Sequence, residues 1–164
     1  MNVQQDAVAR HANARALVST LIELQAETLK TIARCPGQSM SRKRAVFTRL
    51  QRVRSHIAAC AHEDLDIPNL AFAANYSVGR FITIFRTVYG ETPYSCINRH
   101  RLNSASALLA QSDLAIGEIS QSTGFPNQTS FNTALKRRFG QSATEFRAHS
   151  NRNLRHQRGK SAQS

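Results

Sequence analysis

The side chains that carry covalent or metal chemistry are few in this 164-residue chain, and their spacing suits neither. Cys35, Cys60 and Cys96 make no C-x-x-C pair, so the six histidines have no zinc-finger framework to complete and no metal site is expected. An odd number of scattered thiols reads as reduced cysteine in a cytoplasmic chain. No phosphate-cradling glycine loop, nucleophile elbow or H-E-x-x-H stretch is present. The seven carboxylates between residues 63 and 147 set up no arrangement with a histidine or second acid for general acid–base work. No catalytic residue and no cofactor is therefore expected. The chemistry that remains is electrostatic. With 22 Lys and Arg against 10 Asp and Glu, the formal charge is +12, which favours a polyanionic partner. The strongest run is Arg42, Lys43, Arg44, Arg49, Arg52 and Arg54, with no acid among them, either a solvated helix face or a polyanion contact.

Such a surface must be mounted on something. A hydrophobic fraction of 41% supports one ordinary core, and the apolar runs are far shorter than a membrane span needs. The first twenty residues carry no compact apolar stretch of the kind that leads a secreted chain. Residues 14–32 place Leu17, Leu21 and Leu24 beside a row of Val18, Ile22, Leu29 and Ile32, a helical period that Cys35-Pro36-Gly37 ends. Ser41 is placed to cap a second helix, with Val46, Leu50, Val53 and Ile57 on one face. From residue 63 an acidic turn leads to Pro68, suited to a first helical turn, and then to LAFAANYSVGRFITIFRTVYG. Leu70, Ala71, Ala74, Tyr76, Phe81 and Ile84 have the spacing of a helix-turn-helix, and Asn75 supplies the residue tolerant of a left-handed turn.

The pattern then repeats. IGEISQSTGFPNQTSFNTALKRRFG places Ile116, Ile119, Gly124, Phe125, Phe131, Leu135 and Phe139 comparably, with one more residue between turn and second helix. Ser77 and Asn127 stand 50 residues apart, and the stretch between the units suits one continuous helix with Pro93 at its start. The fold expected is all-α: two helix-turn-helix subdomains joined by a long linker helix, preceded by one or two N-terminal helices. A linker of about 18 residues spans about 27 Å, enough with its flanking turns to bring the second helices toward the ~34 Å repeat of B-DNA.

The residues Leu70-Ala71, Ser77, Phe85, Gly90-x-x-Pro93, Ile97, Arg101-Leu102, Ala105, Leu108-Leu109, Ile116-x-x-Ile119, Gly124-Phe125, Phe131, Arg138-Phe139-Gly140 and Glu145-Phe146-Arg147 resemble the AraC/XylS family of bacterial transcription regulators. The resemblance implies residues 1–49 as an N-terminal helical extension and residues 50–148 as a DNA-binding domain, with units at about 68–89 and 116–139. Residues 149–164 are left as a basic, disordered tail. It further implies a recognition helix from Ser77 to about Tyr89 and another from about Asn127 to Phe139, set in successive major grooves of double-stranded DNA. Candidate base readers are then Asn127, Gln128, Thr129, Asn132 and Thr133 in the second helix, and Arg80 and Thr83 in the first. Candidate phosphate contacts are Ser77, Arg86, Arg99, Arg101, Lys136, Arg137 and Arg138. The family commonly has polar or basic side chains where Ile82 and Thr83 stand, so the second helix is expected to carry most of the reading. Ser120, Leu135 and Ala143 also depart from the family pattern, and Ala143 is expected to loosen the start of the last helix.

The expected partners are DNA, RNA polymerase, and a second copy through residues 14–32, with no membrane and no small-molecule effector. The competing reading is a truncated relative acting as a protein-interaction module with weak DNA readout. The charge does not lie on the two units. Residues 42–62 carry six basic side chains and no acid, residues 148–164 carry four and none, whereas 63–147 carry eight against seven. Flanking attraction to DNA, not base reading, is what that distribution implies.

Overall fold

The computed structural model describes residues 3–150 and 152, with side chains from residue 13 onward, and every regular element in that range is helical. The tail beyond residue 152 lies outside the described residues. The elements are α1 (Val3–Ala33), α2 (Met40–Cys60), α3 (Ile67–Ala73), α4 (Val78–Tyr89), α5 (Pro93–Gln111), α6 (Ile116–Ser122) and α7 (Gln128–Phe139), followed by α8 over residues 143–150. The first helix starts earlier than its apolar stripe, because neither Gly nor Pro interrupts the chain before Pro36. Its last turn reaches the body through Ile32, with Cys35 just beyond, while Leu17, Val18, Leu21, Ile22, Leu24 and Leu29 stand exposed.

Ser39, not Ser41, caps α2: its hydroxyl accepts from the Arg42 N–H at 3.3 Å. Val46, Leu50, Val53 and Ile57 are buried along one face, as their spacing predicts. They join Leu70, Ala71, Ala74, Phe81, Ile84, Phe85 and Val88 in a first core that also takes Cys96 and Ile97 from α5. A boundary at residue 50 therefore cuts through a helix whose Val46 and Leu50, one turn apart, fill the same core. The core of the first helix-turn-helix unit thus takes in α2 on both sides of residue 50.

Within that unit, Asp66 caps α3 with its carboxylate on the Asn69 N–H at 2.7 Å, and Pro68 occupies the first turn. Asn75 sits at φ 60°, the left-handed turn expected of it. The second core gathers Leu102, Ala105 and Leu109 of α5 with Ile119, Phe125, Phe131, Leu135 and Ala143. Phe131 is fully buried and meets Phe125 edge-on at 5.3 Å, so truncating it to Ala should cost about 3–5 kcal/mol. At the start of α8, Ala143 is buried in the second core, and Ser142 accepts from the Glu145 N–H at 3.3 Å while the Glu145 carboxylate accepts from the Ser142 N–H at 2.8 Å, a reciprocal cap.

The 19 residues of α5 serve both cores, its first half one and its second half the other. Thr92 caps it through the Ser95 N–H at 3.1 Å. At 1.5 Å per residue it is a shaft of about 28 Å between the two units.

Candidate nucleic-acid interface

Four residues separate α3 from α4 and five separate α6 from α7, the extra residue expected in the second unit. The second helix of each unit turns an apolar face inward and leaves the other open. In α7, Phe131 and Leu135 are buried, whereas Gln128, Thr129, Thr133, Lys136, Arg137 and Arg138 are exposed and Asn132 is half-buried. In α4, Phe81, Ile84, Phe85 and Val88 are buried, and the open face carries Val78, Gly79, Arg80, Thr83, Arg86 and Thr87, with Ile82 half-buried beside them. Both helices end on a left-handed glycine, Gly90 at φ 76° and Gly140 at φ 72°.

The polar groups of α7 are not equally free. Asn127 is the N-cap, its side-chain oxygen accepting from the Ser130 N–H at 2.8 Å, so its amide nitrogen is what remains to face a base. The Thr133 hydroxyl donates to the Thr129 carbonyl at 2.9 Å, and Thr83 does the same to Gly79 at 2.9 Å in α4. Each can still accept a hydrogen bond. Gln128 leans over Gly117 of α6, its Oε1 3.5 Å from where a Cβ would stand. Ser77 begins α4 without a side-chain cap bond, which leaves its hydroxyl exposed for an outside acceptor.

The candidate phosphate contacts divide. Arg86, Lys136, Arg137 and Arg138 stand exposed in the last turns of α4 and α7, where positive charge also complements the helix dipole. Arg99 is half-buried and held by Glu91 at 2.8 Å, a pair whose charges cancel. Burial works against ionisation of Glu91, but the Arg99 hydrogen bonds and charge outweigh it and hold the carboxyl below its ordinary range. Arg101 is not a phosphate contact. It is 8% exposed, its Nε donates to the Ala61 carbonyl at 2.7 Å, and Nη2 donates to the Glu63 carbonyl at 2.9 Å. Two backbone carbonyls of the 61–63 turn hold it, and little of it is open to solvent.

The basic run of α2 also divides. Lys43 donates to the Ala33 carbonyl at 2.9 Å, Arg54 lies over the Tyr89 ring at 4.8 Å, and Arg49 reaches the Tyr76 hydroxyl at 3.1 Å. These three secure packing, while Arg42, Arg44 and Arg52 are left exposed. Tyr89 itself is pushed up to about 12, chiefly by burial.

An open cleft of about 590 Å³ runs between the first turns of α5 and the outer face of α7. It brings Thr129, Thr133, Arg137 and Arg138 together with Tyr94 and Asn98. Neither Tyr94 nor Asn98 was expected at the site. Nothing in their spacing along α5 marked them for it. No group of three His, Cys, Asp or Glu side chains among the described residues is placed to hold a metal, and no described helix is long and apolar enough to cross a membrane.

Two helix-turn-helix units on one shaft, each with an outward second helix, define a protein built around a duplicated helix-turn-helix domain. A family model described as a helix-turn-helix domain matches residues 70–149. The HTH-type transcriptional regulator AlkR of Acinetobacter baylyi is 33% identical over 101 residues, 62% of this chain and 33% of that protein. The HTH-type transcriptional regulator ExsA of Pseudomonas aeruginosa is 35% identical over 71 residues, 42% of this chain and 26% of that one. The chain thus spans a third or less of the length of these two relatives. Among solved structures, the DNA-binding domain of the global transcriptional factor AdpA, in complex with a target DNA, aligns at TM-score 0.61 and 27% identity. It covers 64% of this chain and 95% of that one. An AraC-type transcriptional regulator from Chromobacterium violaceum aligns at TM-score 0.56 and 25% identity, covering 63% and 92%. Residues 70–149 thus carry a helix-turn-helix domain, and the chain is similar there to AraC-type DNA-binding domains.

Proposed function

We propose that this chain is a sequence-specific, double-stranded DNA-binding transcription regulator that sets α4 and α7 into successive major grooves on one face of the duplex. The observation that carries the reading is the pairing of two equivalent outward helices across a shaft of about 28 Å, which with its flanking turns approaches the ~34 Å repeat of B-DNA. The likeness to a DNA-binding domain solved on its target supports it. Gln128, Thr129, Asn132 and Thr133, with the Asn127 amide, read base edges. Arg80 and Thr83 give the first unit a smaller share. Ser77, Arg86, Lys136, Arg137 and Arg138 hold phosphates, and Tyr94 and Asn98 extend that contact along the cleft between α5 and α7. Selection from random duplexes followed by sequencing tests this reading. It should return a bipartite motif with half-sites about 10 bp apart. Absence of any enriched sequence would favour the protein-interaction module instead.

The exposed stripe of α1 suits a second copy of the chain. Leu17, Leu21, Leu24, Val18, Ile22 and Leu29 are each more than half exposed on a helix whose last turn alone is packed, and an apolar stripe of that width is ordinarily covered. Sedimentation equilibrium should show a dimer that Leu21→Lys with Leu24→Lys converts to monomer. A monomeric parent chain at the same concentration would reject the pairing.

A further inference from the structure

The turn at residues 61–63, which closes α2 in the first unit, is gripped by the linker helix and by the second unit at once. Arg101, midway along α5, donates to the Ala61 carbonyl at 2.7 Å and to the Glu63 carbonyl at 2.9 Å. Its guanidinium stands 5.9 Å from the centre of the Phe125 ring, part of the second core. Gly124, the left-handed residue of the second helix-turn-helix turn, approaches the same place. A Cβ there would stand 2.6 Å from the His62 carbonyl oxygen, closer than any real contact. The helical shaft alone would let each unit swing about its ends, since the two cores share no buried side chain outside α5. The 61–63 turn removes that freedom. A buried guanidinium with two carbonyl acceptors has few alternative positions, because any displacement leaves it and the Ala61 carbonyl unpaired in the interior.

We propose that Arg101 and Gly124 form a clasp on the 61–63 turn that fixes the distance and angle between α4 and α7, and so sets the half-site spacing the protein accepts. Arg101 is a positioning residue that touches no DNA. The consequence for spacing rests on the DNA-reading function proposed above, whereas the clasp itself does not.

The test measures the geometry without DNA and then with it. Spin labels on Thr87→Cys in α4 and Lys136→Cys in α7, both exposed sites, in a Cys60→Ser background give an inter-unit distance distribution by pulsed dipolar spectroscopy. It should be narrow with Arg101 in place and about twofold broader in Arg101→Met, as release of a hinge restraint allows. Arg101→Lys, which keeps the charge but lacks the rigid guanidinium fork, should fall between. An unchanged width in Arg101→Met of full helical content overturns the clasp, whatever the protein does on DNA. If Arg101→Met does not fold, Gly124→Ala keeps the guanidinium but displaces the His62 carbonyl. It should shift the mean distance, and an unmoved distance overturns the clasp.

On the selected duplex, a one-base-pair insertion between half-sites moves them apart by about 3.4 Å and rotates one by about 34°. The parent chain should lose roughly 30-fold in affinity and Arg101→Met less than about 5-fold, relative to each protein's own uninserted site. Equal penalties overturn the proposal. If the parent chain selects no sequence, the DNA reading fails, and the distance widths alone decide the clasp.

Discussion

Ser77 and Asn127 open the two outward helices, Gly90 and Gly140 close them, and Phe81 and Phe131 fill matching places in two separate cores. Beyond that frame the units diverge. Asn127 caps its helix and Ser77 does not, and α7 offers amides and hydroxyls where α4 offers Val78, Gly79 and Ile82. The first unit has gained support in exchange. It packs against α2, with Arg49 on Tyr76 and Arg54 on Tyr89, whereas the second is closed by the short α8 through Phe146 on Phe139 at 5.1 Å. On the function proposed above, the duplicated backbone divides its labour, one copy braced and flanked by charge, the other left to discriminate.

The sharpest way to break that division is to remove readers from each side. Gln128→Ala and Asn132→Ala should each cost about 1–3 kcal/mol of discrimination between cognate and mismatched duplexes, while Arg80→Ala lowers both affinities by similar factors. Competition binding on point-mutated sites measures this, and a reversed result would move the reading to α4. A smaller effect belongs to the flanking charge. Ending the chain after Ser150 removes four basic side chains, so the slope of log affinity against log salt should fall by up to about 0.9 for each charge that touches DNA, with base preference retained.

Glu91→Gln probes the first unit's bracing. It should cost about 1 kcal/mol of stability near neutral pH by unpairing a partly buried Arg99, and it should raise non-specific DNA affinity by freeing that cation. The Glu91 carboxyl is held below its ordinary range, so its contribution is complete above the unfolded carboxylate range and fades as pH falls through the folded value. Denaturant titrations of parent and variant should therefore converge in acid. Smallest of all, Gly79→Ala should stabilise α4 by up to about 1 kcal/mol, since a Cβ there meets no atom within 4 Å. A lowered thermal midpoint would show that Gly79 has a conformational role its helical position does not reveal.

The duplicated pattern was legible because it depends on local chemistry: apolar spacing, a left-handed Asn75, glycine stops at 90 and 140. Val46 and Leu50 were equally visible as a helix face, but no local signal says which core a face will join. Arg101 was misplaced for a related reason. An arginine on a basic linker looks like a phosphate contact until carbonyls 40 and 38 residues away in sequence are seen to satisfy it. Tyr94 and Asn98 join the site only because α5 and α7 cross, a relation no window along the chain contains.

The division of labour is tested most directly by selecting random duplexes with the parent chain and assigning each half of the recovered motif to a helix by tethered cleavage from Thr87→Cys or Lys136→Cys. The account predicts a bipartite site whose more stringent half is cut from Lys136→Cys on α7. Cleavage of that half from Thr87→Cys on α4 would contradict it.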